Sequence, residues 1–233
     1  MEQLEKQNYL STKYSLDNLK KQKESILKNR VTFTGFDRIN VSKDVMIKEY
    51  YDTPDFFLQQ RGITVNKNTI KGKKKSELVV RFDTGKERIQ FISNIPDTFA
   101  IEIGTKESIY KYCDFIAGSI SELVPNGISV DLYQLVNGLY KICTVTKQRE
   151  VNRMISISGL KVNFTFVKAL FESNINKRKE SQLILEVESA DTKQLEDYNA
   201  FVKKLSFNNP TLIKLKSSDI EIAKELLFKD LIN

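Results

Sequence analysis

The sequence predicts an α+β protein, one domain over residues 1–233, built round a large antiparallel sheet or barrel. Three observations carry that reading. From Val31 onward, short segments rich in β-branched and aromatic residues (VTFTGF, VMIKEYY, GITVNKN, ELVVRF, RIQFIS) alternate with Gly, Asp, Asn and Lys clusters, the pattern of strands joined by turns. A second series follows Pro125-Asn126-Gly127: YKICTVTKQREV, ISISGL, VNFTFVKALF and QLILEVES. Neither a tandem repeat nor a Pro- or Gly-rich linker separates the two series, so they are read as parts of one sheet.

The elements follow in order. Leu16, Leu19, Ile26 and Leu27 share one side of a helix over Leu16 to Arg30, with Ser15 as its cap. Lys71 to Ser76 (KGKKKS) is the basic tip of a hairpin. Ile109, Tyr112, Phe115, Ile116 and Ile120 predict a helix over Glu107 to Leu123, and Pro125, Asn126 and Gly127 end it. In QLILEVES, Leu183, Leu185 and Val187 alternate with Ile184, Glu186 and Glu188. Two amphipathic segments, LEDYNAFVKKL and DIEIAKELLFKDL, close the chain as helices.

Composition narrows the chemistry. The chain has 233 residues without a single histidine, which excludes Ser-His-Asp and Cys-His nucleophiles, imidazole general bases and thermolysin-type zinc sites. Cys113 and Cys143 sit in apolar stretches without metal-ligand spacing. Carboxylates, lysines, arginines or tyrosines must therefore do any chemistry. Lys and Arg outnumber Asp and Glu by 37 to 30, and the resulting +7 favours anionic partners. No apolar run approaches the ~18 residues of a membrane span, and MEQLEKQNYL is too polar for a secretory segment, so a cytoplasmic protein without a membrane partner is expected.

Two pieces point further. Tyr50 to Asn68 (YYDTPDFFLQQRGITVNKN) turns at Thr53-Pro54-Asp55 between strands, and the Glu186/Glu188 strand is followed by a helix and Lys214-Leu215-Lys216-Ser217. Together they resemble the CYTH superfamily, the triphosphate tunnel metalloenzymes. Tyr51, Asp52, Thr53, Pro54, Asp55, Leu58, Gly62 and Ile63 match that family's signature as they stand.

The resemblance implies an eight-stranded antiparallel β-barrel of triphosphate tunnel type with surface helices. Its interior would hold a linear triphosphate with Mg or Mn: tripolyphosphate, thiamine triphosphate, a nucleoside triphosphate or an RNA 5'-triphosphate end. Arginines and lysines suit such a polyanion, and hard divalent ions take the oxygen ligands that carboxylates supply without histidine. Glu5, Glu186 and Glu188 would be the catalytic, metal-holding carboxylates; Arg81, Lys147, Arg149, Lys214 and Lys216 would bind phosphate.

The match has gaps. The family's opening Glu-x-Glu-x-Lys falls on Gln3-Leu4-Glu5-Lys6-Gln7, two of its arginines fall on Asn66 and Asn68, and a frequent aspartate falls on Val167. These departures favour an alternative: a degenerate tunnel that binds an anion, or serves as a regulatory subunit, without turnover. Cyclisation of ATP is a further family activity that nothing in the sequence selects, and RNA binding through Lys71 to Lys75 lacks a supporting motif. A homodimer is among the assemblies open to it.

Overall fold

The computed structural model describes residues 7–29, 32–83, 88–96, 106–123, 131–215 and 218–229. Ten strands and five α-helices follow in chain order: β1 (Gln7–Asn8), β2 (Leu10–Leu16), α1 (Leu19–Lys28), β3 (Phe36–Asp52), β4 (Ile63–Ile70), β5 (Lys75–Asp83), β6 (Arg88–Pro96), α2 (Lys106–Leu123), α3 (Leu132–Asn137), β7 (Tyr140–Ser156), β8 (Lys161–Ser173), β9 (Lys179–Ser189), α4 (Leu195–Asn208), β10 (Ile213–Lys214) and α5 (Asp219–Leu227). The order in the sheet is β1-β6-β5-β4-β3-β7-β8-β9-β2-β10. Eight strands, β2 to β9, have seven residues or more, β2 lying where the sequence reading placed no strand; β1 and β10 have two residues each. Among the described residues no ladder joins β1 to β10, so the strand order is open and not that of a hydrogen-bonded barrel. No helix among them is long and apolar enough to cross a membrane.

The chain clusters into two compact units. In the first, which takes in residues 7–8, Met46–Val145 and Glu172–Arg178, β4, β5 and β6 pair in register, with Val65 opposite Val80 and Val80 opposite Phe91. Side chains alternate across a strand, so Ile63 and Val65, Leu78 and Val80, and Phe91 and Ile95 share one face. Tyr112, Cys113, Ile116, Ala117, Ile120 and Leu123 recur at helical spacing along α2 and bury that face. The Asp-Thr-Pro-Asp block makes the turn after β3: Asp52 accepts N–H bonds from Thr53 (2.8 Å), Leu58 (2.9 Å) and Gln59 (3.0 Å). Burial nonetheless pushes the Asp52 carboxyl above its ordinary range, against the pull of those bonds. Gly62 ends this turn at φ 72°, a left-handed conformation that glycine adopts without strain.

In the second unit, which takes in Tyr9–Val45, Thr146–Phe171 and Lys179–Asn233, β2 lies between β9 and β10. Tyr14 and Leu16 of β2, Val162, Phe164 and Phe166 of β8, and Leu185 and Val187 of β9 form one core with Tyr198, Phe201 and Leu205 of α4 and Ile26 of α1. The Tyr198 hydroxyl donates to the Val187 carbonyl at 2.8 Å, which satisfies its polar end inside that core.

Several boundaries differ from expectation. Leu16 belongs to β2, and α1 begins at Leu19 because Asn18, not Ser15, accepts the Lys21 N–H. The segment ISISGL is the end of β7 and a turn, closed by Ser156 N–H to the Leu160 carbonyl at 2.9 Å. The sequence reading missed α3, which Asp131 caps by accepting from Tyr133 and Gln134.

Candidate functional site

Because Tyr14 and Leu16 face the core with Leu185 and Val187, alternation sends Lys13, Ser11, Glu186 and Glu188 to the other face. The register sets Lys13 opposite Glu186 and Ser11 opposite Glu188. Lys147 of β7 reaches the same place. Its Nζ donates to Glu186 Oε1 at 2.6 Å and to Asp219 Oδ1 at 2.7 Å. Lys13 Nζ stands 3.2 Å from Glu186 Oε1 and also pairs with Asp219 Oδ1. Two lysines and two carboxylates thus close on one another, all of them at most 4% exposed.

Asp219 is the first residue of α5, and the helix start places it there. Ser218 Oγ accepts the Glu221 N–H at 3.2 Å while Glu221 Oε2 accepts from the Ser218 N–H at 3.3 Å, a reciprocal capping box. Glu221 is committed to the cap; Asp219 turns to the lysines. Burial pulls the Lys13 ammonium down, but Asp219 and then Glu186 outweigh it, and its pKa ends above the ordinary 10.5.

Arg149, two residues beyond Lys147 and so on its face, makes a forked pair with Asp44: Nε to Oδ1 at 2.6 Å and Nη2 to Oδ2 at 2.7 Å. Burial opposes its charge, but the Asp44 bond and charge, followed by the fields of Glu186 and Glu188, raise its pKa. Glu188 is half-buried, and across from it Ser11 Oγ is buried with no hydrogen-bond partner. Within this set the paired groups balance in formal charge: Lys13, Lys147 and Arg149 against Glu186, Asp219 and Asp44.

Of the residues named from sequence, Lys147, Arg149, Glu186 and Glu188 belong to this set. Lys214 does not: it is exposed and lies opposite Tyr14, on the core-side face of β2, so it points away from Lys13. Val167 is buried on the face opposite to Phe164 and Phe166, with no charge where the family often has one. Arg81, Asn66 and Asn68 belong to the first unit. There Arg81 donates to Gln90 Oε1 at 3.2 Å, and Asn66 Nδ2 donates to Asn68 Oδ1 at 2.6 Å. Lys67 points to the other face, with Nζ 3.8 Å from Glu49. Gln3, Glu5 and Lys216 lie outside the described residues, and so does the side chain of Gln7.

Sequence reasoning missed Lys13, Asp44 and Asp219. A signal existed for Lys13, since Leu10, Thr12, Tyr14 and Leu16 alternate with Ser11, Lys13 and Ser15. Asp219 had only its capping box, which announces a helix start and not a partner.

No group of three metal-ligating side chains converges among the described residues, and Glu186 Oε1 and both Asp219 oxygens lie against ammonium groups.

In each unit helices pack on one face of the strands, and the fold is that of the triphosphate tunnel type. A putative adenylate cyclase from Bacillus halodurans shares it with TM-score 0.55 at 11% identity, over 93% of this chain and 97% of that one. The Pyrococcus horikoshii protein PH1819 has TM-score 0.47 at 13% identity, over 93% and 98%. A Hippeastrum protein with a dominant triphosphatase activity has TM-score 0.48 at 12%, over 94% and 95%. No family model and no curated protein matches the chain. At these identities the likeness is one of fold.

Proposed function

We propose that the chain binds the phosphate chain of a triphosphate-type polyanion through Lys13, Lys147 and Arg149. One observation carries this reading: Lys13 and Lys147 grip the same carboxylate oxygens, so their ammonium groups already stand at the spacing an anionic oxygen needs. Arg149 adds a fork whose match to Asp44 is equally a match to two phosphate oxygens. In this reading the opening strand of the resemblance falls on Tyr9-Leu10-Ser11-Thr12-Lys13, which keeps the lysine and replaces both glutamates. Glu5 then leaves the carboxylate set, and Arg81 and Lys216 remain proposed phosphate contacts.

A second reading, metal-dependent hydrolysis of a phosphoanhydride bond, is favoured by Glu186 and Glu188 sharing a face with the orphaned Ser11 Oγ. It proposes Mg or Mn on the two glutamates and requires the lysines to leave Glu186 first.

One panel tests both: tripolyphosphate, ATP, GTP, thiamine triphosphate and triphosphorylated RNA, scored for binding by calorimetry and for phosphate release with Mg or Mn. The first reading expects tripolyphosphate to bind, more weakly with added salt, and to be lost in Lys147→Met. No binding by folded protein overturns it. Metal-dependent release that disappears in a Glu186→Gln/Glu188→Gln double variant establishes the second. With RNA, affinity that ignores the terminal triphosphate and falls steeply with salt would instead mark a general backbone contact.

A further inference from the structure

We infer that Asp219 is an internal competitor for the anion seat: its carboxylate fills the place between Lys13 and Lys147 that a phosphate oxygen would take, so a polyanion binds only by exchanging it out. This rests on the anion-binding reading above and adds a residue that decides which anions succeed.

The argument is one of contacts, charge and tethering. Asp219 is 1% exposed, and its two oxygens meet Lys147 at 2.7 Å while Oδ1 also meets Lys13. Lys13 and Lys147 are already balanced by Glu186 and Asp219, so an added anion without departure of Asp219 leaves these groups with excess negative charge. Of the carboxylates on Lys13 and Lys147, Glu186 is held mid-strand by the β2–β9 ladder, whereas Asp219 hangs from the first turn of a helix. Asp219 is the one positioned to leave. A carboxylate built into the chain acts at high effective concentration, so a small anion with few oxygens loses the contest. A tripolyphosphate brings more charge and can engage Arg149 as well as both lysines, and it wins. Ile220, Ile222, Ala223 and Leu227 are buried along α5, so the exchange loosens the start of that helix.

Calorimetry of the full chain with tripolyphosphate and with orthophosphate, for the wild type and Asp219→Asn, tests this. We expect Asp219→Asn to bind tripolyphosphate about tenfold tighter or more, and orthophosphate to bind only the variant. Equal or weaker tripolyphosphate binding by a folded Asp219→Asn overturns the inference while leaving the anion site standing. No binding by either folded protein removes the anion site and the inference with it. Should Asp219→Asn not fold, hydrogen exchange of the wild type decides. Faster exchange of the amides of α5 with tripolyphosphate bound is expected; unchanged or slower exchange overturns the inference.

Discussion

The polar face of β4 in the first unit and that of β9 in the second follow the same alternation and reach opposite outcomes. On β4, Asn66 is 1% exposed, yet its Oδ1 has no hydrogen-bond partner. On β9, Glu186 is 4% exposed and meets both Lys13 and Lys147. The difference is the cost of failure. An amide oxygen left unpaired costs about 1–3 kcal/mol, which a domain can absorb, whereas an unpaired buried ion costs several. Buried charge therefore recruits partners from distant elements, and buried amides need not.

The largest test of that contrast is Lys147→Met, which leaves Glu186 and Asp219 with Lys13 alone. A loss of about 3–5 kcal/mol in urea unfolding is expected, and a loss under about 1 kcal/mol would show that the cluster tolerates a missing member.

Alkaline pH attacks the same cluster from the other lysine. The folded pKa of Lys13 is raised above its ordinary 10.5, so its contribution to stability is fully present below that value and drains away as pH rises through the folded one. Urea midpoints should show no loss from this group up to about pH 10 and a decline beyond about pH 11; Lys13→Met should reduce the alkaline decline.

Smaller effects are expected outside the cluster. Arg149→Lys keeps the charge and loses the fork to Asp44, for about 1–2 kcal/mol. Asn66→Val removes one bond to Asn68 together with the orphaned oxygen, and the balance should fall within about 1 kcal/mol of zero. A loss as large as that of Lys147→Met would erase the contrast. Lys23→Ala breaks a 2.6 Å pair with Glu150 near the surface and should cost under about 1 kcal/mol.

How far the sequence could be read depended on the range of each interaction. Glu186 with Glu188, and Lys147 with Arg149, were legible because residues two apart on a strand share a face whatever lies opposite. The Asp-Thr-Pro-Asp turn was legible because Asp52 serves backbone groups within seven residues of itself. Lys13 was not legible through the family motif, whose opening falls on Gln3 to Gln7, although the alternation of its own strand is plain. The face of Lys214 was not legible for a related reason: the pairing of β10 with β2, which sets Lys214 opposite Tyr14, decides it.

By itself the sequence determined most of the strands, which charges share a face where they lie two apart on one strand, the absence of histidine and the start of α5. Only the tertiary structure decided that Asp219, 206 residues from Lys13 and 72 from Lys147, would stand between them. Alternation and capping act over a few residues and leave a local mark. A buried charge accepts whatever counter-charge the fold brings within ~4 Å, from any distance along the chain, so its partner is written in no local pattern.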